Sequence, residues 1–428
     1  MKTVSKGSAA TLLTFALAAQ TAAAESTWVT SWTASPQPVW GLDFLFPTHA
    51  PAVLRDQTVR QVARLSLGGS RLRLVLSNAY GERPLTVGGA TVALSGAPTT
   101  TVANHLRSVT FGGQTSATIA PGAPLLSDPV ELPVPTLAQV TVSLYLPSET
   151  PVSTFHWDGR QTAWIVPGDQ TSAPELDTAQ DQAQSTTTRL LLSGIEIEAA
   201  PSAQAVAVIG DSITDGATAS LDTDSRWPDF LATRLAPHGV AVINAGISGS
   251  RQLSDGMGVN ALARLERDVL AQPGVRSVVV LLGINDIAWP GTAFARQTAQ
   301  PALDALVAGY RQLIERARSR GLRVIGATLT PFAGALPDTP LDDYWNPDKD
   351  ALRQQVNIWI RDSGAFDAVI DFDAVTRDPA NLAQLDPRFD SGDHLHPGDA
   401  GNHAMAESIN LDDLLPGLAA RSVTSQEH

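Results

Sequence analysis

Two patterns of hydrophobic and polar residues divide the chain near residue 200. Before that point, apolar and polar residues alternate in short runs separated by Gly, Pro, Asn and Ser, which is typical of antiparallel strands. We predict strands at residues 58–67, 71–77, 85–94, 107–111, 139–146 and 189–198, and a solvated loop at 173–187. No convincing amphipathic helix interrupts them. Residues 25–200 are therefore predicted to form a β-rich, sandwich-like N-terminal domain.

After Pro201 short continuous apolar runs alternate with longer segments of helical period. The apolar runs are too short for ordinary helices and fit strands that are buried on both faces of a parallel sheet. The predicted strands are 205–209, 240–243, 277–282, 324–328 and 368–370, and the predicted helices are 227–235, 261–270, 302–320, 349–363 and 401–411. This alternation predicts an α/β domain over residues 201–428, with helices flanking the sheet.

The first 24 residues have a composition of their own. Lys2 and Lys6 precede an apolar stretch that ends in small residues at 21–24. This layout is typical of a secretory signal peptide, here with cleavage near Ala24. A membrane anchor is the less favoured alternative, because the apolar stretch is too short to span a bilayer well. We therefore expect a secreted protein, extracellular or periplasmic, without stable membrane association.

Composition narrows the classes of ligand. The 428 residues include no cysteine, which excludes disulfides and thiolate metal sites. The formal net charge is −14, and loss of Lys2 and Lys6 with the leader would make it more negative. Such a surface disfavours nucleic acid and anionic membranes as partners. Neutral small molecules and polysaccharides remain as candidate substrates.

Candidate chemical groups follow the predicted strands of the second half. Ligands of open α/β sheets bind at the carboxyl ends of the strands, so these loops are where a site is expected. Ser212 comes just after the first strand, where its hydroxyl and its own N–H can both face a ligand. Gly246 follows the second strand and can present an N–H with no side chain in the way. Asn285 follows the third strand and adds an amide donor.

An aspartate and a histidine lie close together near the C-terminus. Asp393 precedes His396 by three residues, so its carboxylate can fold back onto the imidazole, fix its tautomer and stabilise the imidazolium. Acyl transfer requires a nucleophile, a base with a group that orients it, and hydrogen-bond donors for the oxyanion. Ser212, the pair Asp393 and His396, and the donors at Gly246 and Asn285 together make up this set. Each piece alone also occurs as an ordinary turn.

A metal site is the alternative use of the same C-terminal segment. The residues that could bind zinc there are Asp393, His394, His396, Asp399 and His403. This interpretation leaves Ser212, Gly246 and Asn285 without a role. We therefore expect a reaction that needs neither a metal nor an organic cofactor.

Four blocks of sequence resemble those of the SGNH subgroup of GDSL hydrolases. They are Gly210-Asp211-Ser212-Ile213-Thr214, Asn244-Ala245-Gly246-Ile247-Ser248-Gly249-Ser250-Arg251, Gly283-Ile284-Asn285-Asp286 and Asp393-His394-Leu395-His396-Pro397. The resemblance extends to a two-part subgroup in which a β-rich region precedes the SGNH domain, as in GDSL esterases from xylan-degradation clusters. The segments that resemble this subgroup are 28–37, 73–81, 326–332 and 390–400.

The resemblance implies a fold and a role for each block. The fold would be a flavodoxin-like three-layer α/β/α hydrolase domain. Ser212 would be the nucleophile, and Asp393 and His396 would complete its catalytic triad. The N–H groups of Ser212 and Gly246 and the amide of Asn285 would form the oxyanion hole.

The expected function is hydrolysis of carboxylic esters by a secreted serine esterase through an acyl-enzyme, with short-chain acyl or acetyl groups that include those on polysaccharides. Arg251, Asp286 and Trp289 follow their blocks closely and are candidate substrate-binding residues, although Arg251 and Asp286 could equally brace their loops. A lipase or an aryl esterase of the same mechanism is an alternative. An alternative of a different class is a carbohydrate-binding protein whose hydrolase domain is a relic.

Overall fold

The computed structural model describes residues 26–418, except 42, 103 and 342. The predicted signal peptide, residues 1–24, lies outside the described residues. Within the described residues, no helix is both long and apolar enough to cross a bilayer. The boundary between the two predicted domains, at residue 200, stays a prediction.

The first half is built from strands, and none of its described residues is helical. The strands are β1 Thr27–Thr33, β2 Gln37–Pro38, β3 Val53–Leu54, β4 Gln57–Arg64, β5 Gly69–Ser77, β6 Leu85–Val87, β7 Gly89–Ala97, β8 Thr100–Thr101, β9 Arg107–Ser108, β10 Ala117–Ile119, β11 Pro124–Leu126, β12 Val130–Val134, β13 Gln139–Leu146, β14 Thr150–Pro151, β15 Thr154–His156, β16 Ala163–Pro167, β17 Gln184–Thr186, β18 Arg189–Leu190 and β19 Leu192–Ala199. The high β content predicted from the alternating pattern is confirmed.

Two antiparallel sheets contain most of these strands. One has the order β1-β19-β5-β11, with β12 also paired to β5, and the other has the order β17-β16-β4-β13-β7-β8, with β9 also paired to β7. In β5 the alternation separates buried Leu72 and Leu74 from Arg71 and Arg73, which pair with glutamates of β19. The predicted loop 173–187 is wrong at its end, because residues 184–186 pair with β16 as an edge strand.

The second half contains a five-stranded parallel sheet. Its strands are β20 Gln204–Gly210, β21 Val240–Gly246, β22 Val275–Leu281, β23 Arg323–Ala327 and β24 Ala368–Ile370, and a small hairpin follows, β25 Arg377–Asp378 and β26 Asn381–Leu385. The sheet order is β21-β20-β22-β23-β24, which is the 2-1-3-4-5 order of flavodoxin-like sheets. All five predicted strands are present. They could be predicted because the central ones are buried on both faces.

Nine α-helices accompany this sheet within the described residues. They are α1 Ser212–Asp215, α2 Trp227–Leu235, α3 Ala261–Leu265, α4 Ile284–Ala288, α5 Leu303–Arg318, α6 Pro347–Asp362, α7 Phe372–Thr376, α8 Asp399–Glu407 and α9 Leu411–Leu414, with a π-helical turn at Glu266–Leu270 and a 3₁₀ turn at Ala236–His238. The helix α8 packs on α2 and α7, whereas α5 packs on α3 and α6. The helix predicted at 401–411 is present as α8 but is wrong at its end, since Asn410 caps a separate helix α9.

The two halves share one continuous core of buried apolar side chains. The strand β1 packs against β21, the edge strand of the parallel sheet. Two side-chain hydroxyls of the first half donate hydrogen bonds to backbone carbonyls of β21. Thr33 donates to Asn244 O at 2.8 Å, and Ser66 donates to Val242 O at 2.5 Å. The first half therefore covers a sheet edge that would otherwise be open.

Arg264 ties together the carboxyl ends of the two strands that lead into the predicted site. Its guanidinium is buried and donates to Gly210 O at the end of β20 and to Ala245 O near the end of β21, at 3.0 and 2.6 Å. It also contacts Ser250 Oγ and pairs with Asp268 at 3.0 Å. One buried cation thus satisfies backbone carbonyls at the edge of the sheet where ligands bind.

Replacing this cation should destabilise the whole domain. We expect Arg264→Met to lower the free energy of unfolding by about 3–5 kcal/mol, because removal of one partner leaves buried polar groups uncompensated. Urea denaturation measures this change. Arg320→Met is the matched control: Arg320 pairs with Glu266 on the exposed surface, so the loss should stay under about 1 kcal/mol. Equal losses in the two variants would contradict the role given to Arg264.

Candidate active site

Ser212 lies at the first turn after the central strand β20. Gly210 ends that strand, and a Cβ at its position would lie 2.1 Å from Thr214 Oγ1, so only glycine permits this tight turn. Asp211 caps α1 by accepting the N–H of Ile213 at 3.1 Å. Because Ser212 is the first residue of α1, its own N–H has no helical acceptor and remains available to a ligand.

The side chains of Ser212, His396 and Asp393 form a continuous hydrogen-bonded chain. Ser212 Oγ lies 2.8 Å from His396 Nε2, and His396 Nδ1 lies 2.6 Å from Asp393 Oδ2. The other oxygen of Asp393 accepts the N–H groups of Leu395 and His396 at 2.9 and 2.8 Å. Burial alone would raise the pKa of Asp393, but the hydrogen bonds and charge of His396 hold that pKa well below its usual range. The carboxylate therefore stays ionised beside the imidazole.

Gly246, whose N–H was predicted to be an oxyanion donor, is not among the residues that line the cavity beside Ser212, and its N–H is already bonded within the protein. Its N–H donates to Asn244 Oδ1 at 2.8 Å. A Cβ at Gly246 would lie 2.4 Å from the backbone nitrogen of Asp215. The glycine is therefore required by the close approach of α1 to the end of β21, not by a ligand.

Gly249, three residues further on, lies in the cavity beside Ser212. Its φ is +71°, and a Cβ would lie 2.6 Å from Met257 Sδ and 2.9 Å from the Trp289 ring. Its N–H has no acceptor among the described residues. The sequence contains both glycines, but nothing in it shows which one has the positive φ and the free N–H.

The side-chain amide of Asn285 is held in one orientation. Its Oδ1 accepts from Trp289 Nε1 at 2.8 Å and from the Tyr344 hydroxyl at 2.5 Å. Its Nδ2 donates to Ser250 O at 3.1 Å, which leaves one N–H for a ligand. Tyr344 was missed by the sequence analysis, because it lies 59 residues from Asn285 in a loop without a motif.

The three candidate substrate-binding residues have different locations. Trp289 is in the wall of the cavity, 3% exposed. Arg251 lies outside the wall, with its guanidinium 4.8 Å from the Trp289 ring centroid. Asp286 is buried and accepts the N–H groups of Gln252 and Leu253 at 2.7 and 2.9 Å. Asp286 thus braces the loop that follows β21, and Arg251 donates to Asp255 O within the same loop.

The cavity beside Ser212 has a volume of about 270 Å³ and mostly apolar walls. Its apolar and aromatic lining comprises Phe46, Trp157, Ala217, Met257, Trp289, Phe294, Leu336, Leu341, Tyr344 and Leu395. The rings form a contiguous group, with Phe46 5.6 Å from Trp157 and Phe294 4.4 Å from Trp289. Phe46 and Trp157 come from the β-rich half, so both halves build the cavity.

The residues of the alternative zinc site are not gathered around one point. His394 pairs with Asp390, Asp399 accepts from Ser225 at 2.7 Å, and His403 packs edge-on against Phe230. Among the described residues, no group of three or more His, Asp or Glu side chains is arranged to hold a metal ion.

Two buried carboxyl groups lie behind the site. Burial raises the pKa of Asp211 to about 7, and Asp211 Oδ2 has no partner among the described residues. Burial likewise raises the pKa of Asp286 to about 6, against the opposing effect of the two backbone N–H groups that it accepts. The ionised form of each group is therefore disfavoured by its surroundings.

Comparison with known proteins gives a family for this part of the chain. Residues 208–404 match the model of the GDSL-like Lipase/Acylhydrolase family. No curated protein matches the sequence. Similar solved structures include a putative lipolytic protein of the G-D-S-L family from Desulfitobacterium hafniense, with 21% identity over 48% of this chain and 97% of that one, at a TM-score of 0.36. An acetyl xylan esterase from Geobacillus stearothermophilus has 24% identity over 50% and 94%, at a TM-score of 0.36.

Removing the buried charge of Asp211 should change how stability depends on pH. The pKa of Asp211 is raised in the folded state, so between about pH 4 and pH 7 the folded chain binds a proton that the unfolded chain lacks, and stability falls as pH rises. Asp211→Asn removes this dependence. Its free energy of unfolding, relative to wild type, should therefore increase from pH 4 to pH 8 in urea titrations.

Asp181→Asn, the same change at an exposed aspartate, is the control for the substitution itself. Asp286 remains in both proteins, and its charge is one of the causes that raise the pKa of Asp211, so the difference between Asp211→Asn and wild type includes the coupling between the two carboxyl groups. A difference between Asp211→Asn and wild type that is the same at pH 4 and pH 8 would contradict the raised pKa.

Proposed function

Residues 208–404 form a domain of the GDSL-like lipase/acylhydrolase family, and on this premise we propose that the chain is a serine esterase with Ser212 as its nucleophile. The observation that carries the proposal is the unbroken chain from Ser212 Oγ through His396 to Asp393, with distances of 2.8 and 2.6 Å. A nucleophile, a base and a group that orients the base are thus within hydrogen-bond distance of one another. The parallel sheet and its two groups of helices also support the three-layer α/β/α arrangement expected of the family.

The reaction proceeds through an acyl-enzyme. Ser212 Oγ attacks the ester carbonyl carbon and its proton passes to His396 Nε2, while Asp393 stabilises the imidazolium. The bond to the alcohol then breaks, and His396 gives its proton to the leaving oxygen. A water molecule loses a proton to His396 and attacks the acyl group. The acid is released and Ser212 regains its proton.

Three donors are available for the oxyanion of the tetrahedral intermediates. They are the backbone N–H groups of Ser212 and Gly249 and the free N–H of the Asn285 amide. One such donor contributes roughly 2.7–4 kcal/mol to transition-state stabilisation in typical cases. Gly249 replaces Gly246 in this role, because the N–H of Gly246 is already bonded to Asn244.

The cavity favours an apolar group on the ester. Aromatic and aliphatic side chains form most of its wall, and an acetyl group would leave much of the 270 Å³ unfilled. The proposed substrates are therefore esters with a medium-chain acyl or an aryl group, in preference to the acetyl groups of a polysaccharide. Export of the mature chain after cleavage near Ala24 is part of the same proposal and rests on the composition of residues 1–24.

Loss of the serine hydroxyl should abolish catalysis without loss of the fold. We expect Ser212→Ala to lower kcat on p-nitrophenyl butyrate by at least about 10³-fold, with an unchanged melting temperature. Ser254→Ala, a change at an exposed serine in the loop after β21, should keep wild-type activity. Substantial turnover by purified Ser212→Ala would show that another group is the nucleophile.

The apolar wall predicts how activity depends on the acyl chain. Each added methylene that enters the cavity contributes about 0.8 kcal/mol, or roughly fourfold in kcat/KM. We expect kcat/KM to rise from p-nitrophenyl acetate to the butyrate and hexanoate. Phe294→Ala and Trp157→Ala should flatten this series, whereas Trp28→Ala, a change outside the cavity, should not. Highest activity on acetate, together with release of acetate from acetylated xylan, would favour a polysaccharide deacetylase instead.

A further inference from the structure

A histidine of the β-rich half reaches the short helix that carries the nucleophile. His156, at the end of β15, places its Nε2 2.9 Å from Asp215 Oδ1, and Asp215 is the last residue of α1. Its Nδ1 lies 3.1 Å from Ser35 O. The side chains of His156 and Asp215 are 6% and 2% exposed, so the contact is shielded from water.

The same carboxylate holds the loop that contains Gly249. Asp215 Oδ2 accepts both the N–H of Ser248, at 2.9 Å, and its hydroxyl, at 2.8 Å. Ser248 immediately precedes Gly249, and both residues line the cavity. One buried carboxylate therefore joins the helix of Ser212, the loop of Gly249 and a side chain of the β-rich half.

We propose that His156 is a positioning residue for the oxyanion hole: acting through Asp215 and Ser248, it fixes the N–H of Gly249 relative to Ser212. This inference rests on the proposed function of Ser212 and Gly249. It assigns the β-rich half a part in the reaction as well as in the fold.

The pattern of donors and acceptors explains why a histidine is needed. Ser35 O can only accept a hydrogen bond, so Nδ1 of the ring must donate to it, and one proton between Nε2 and Asp215 Oδ1 completes the second contact. Without His156, Asp215 would keep only its contacts with Ser248, and its buried Oδ1 would be left without a hydrogen-bond partner. The carboxylate would then be expected to shift or to take up water, and the loop would move with it.

A second contact of the β-rich half supports the same conclusion. Gln37, in β2, donates to Met257 O at 2.8 Å and accepts the N–H of Trp157 at 2.8 Å. Met257 and Trp157 both line the cavity. The β-rich half thus holds parts of the cavity at two independent points.

The experiment compares two replacements of the ring. His156→Phe keeps its approximate shape and removes both hydrogen bonds, whereas His156→Gln can place an amide donor near the position of Nε2. We expect His156→Phe to lower kcat by about tenfold to a hundredfold, since small displacements of catalytic groups have effects of this size. KM should change less than about twofold, because the affected donor acts mainly in the transition state. His156→Gln should recover much of the loss.

A transition-state analogue supplies a readout that a purely structural role would not change. Phenylboronic acid forms a tetrahedral adduct with a serine, and one of its oxygens takes the place of the oxyanion. Its inhibition constant should rise in His156→Phe by about the same factor as kcat/KM falls. Ser66→Ala is the matched control, since it removes a buried hydrogen bond between the β-rich half and Val242 O without touching the loop.

The outcomes separate this inference from the proposed function. If Ser212→Ala is inactive but His156→Phe matches Ser66→Ala in kcat and in boronate affinity, the positioning role is wrong and the esterase assignment stands. If Ser212→Ala is active, the proposed function itself is wrong. Should His156→Phe fail to fold, Ser248→Ala takes its place. Ser248→Ala must then lower kcat at constant KM, and an unchanged kcat in this variant would overturn the proposal.

Discussion

The close approach of α1 to the end of β21 is the constraint on which the site depends. The two elements meet where Gly246 lacks a Cβ, and Asp215 crosses the contact to hold Ser248. Beneath them, Arg264 donates to carbonyls at the ends of both β20 and β21. Because the serine is on one element and Gly249 follows the other, this contact sets the distance between Ser212 and Gly249, the proposed nucleophile and the proposed oxyanion donor. Side chains larger than glycine at position 246 would separate them.

The β-rich half takes part in this arrangement in several ways. It packs β1 on the edge strand β21, supplies Phe46 and Trp157 to the cavity wall, and brings His156 to Asp215. A sheet edge, an apolar wall and a buried carboxylate would each be exposed without it. The change of pattern near residue 200 therefore marks a change of secondary structure, whereas the packed core continues through it.

The sequence was most informative where local pattern decides the structure. The parallel strands could be predicted because they are continuous apolar runs, and α2 because its period and bounds are clear. The serine, aspartate and histidine could be singled out because their blocks follow strand ends or lie three residues apart. Contacts between segments that are distant in sequence have no comparable local pattern. Tyr344 and His156 reach the site only through tertiary packing, so neither could be found from spacing.

The errors have the same physical origin. Gly246 and Gly249 look alike in sequence, and only the fold shows that Asn244 occupies the N–H of one and that the other has a positive φ. Asp286 was a candidate for substrate binding because it follows Asn285, yet its carboxylate turns away to backbone N–H groups. A residue next to a motif can thus face either side of its loop, and sequence alone does not distinguish the two.

The most direct test of this account is a crystal structure of the protein after reaction with an alkyl fluorophosphonate. We expect a covalent bond to Ser212 Oγ, with the phosphonyl oxygen roughly 2.7–3.1 Å from the nitrogens of Ser212 and Gly249 and from Asn285 Nδ2. The alkyl chain should lie against Trp157 and Phe294. An adduct on another side chain, or a phosphonyl oxygen directed away from Gly249, would contradict it.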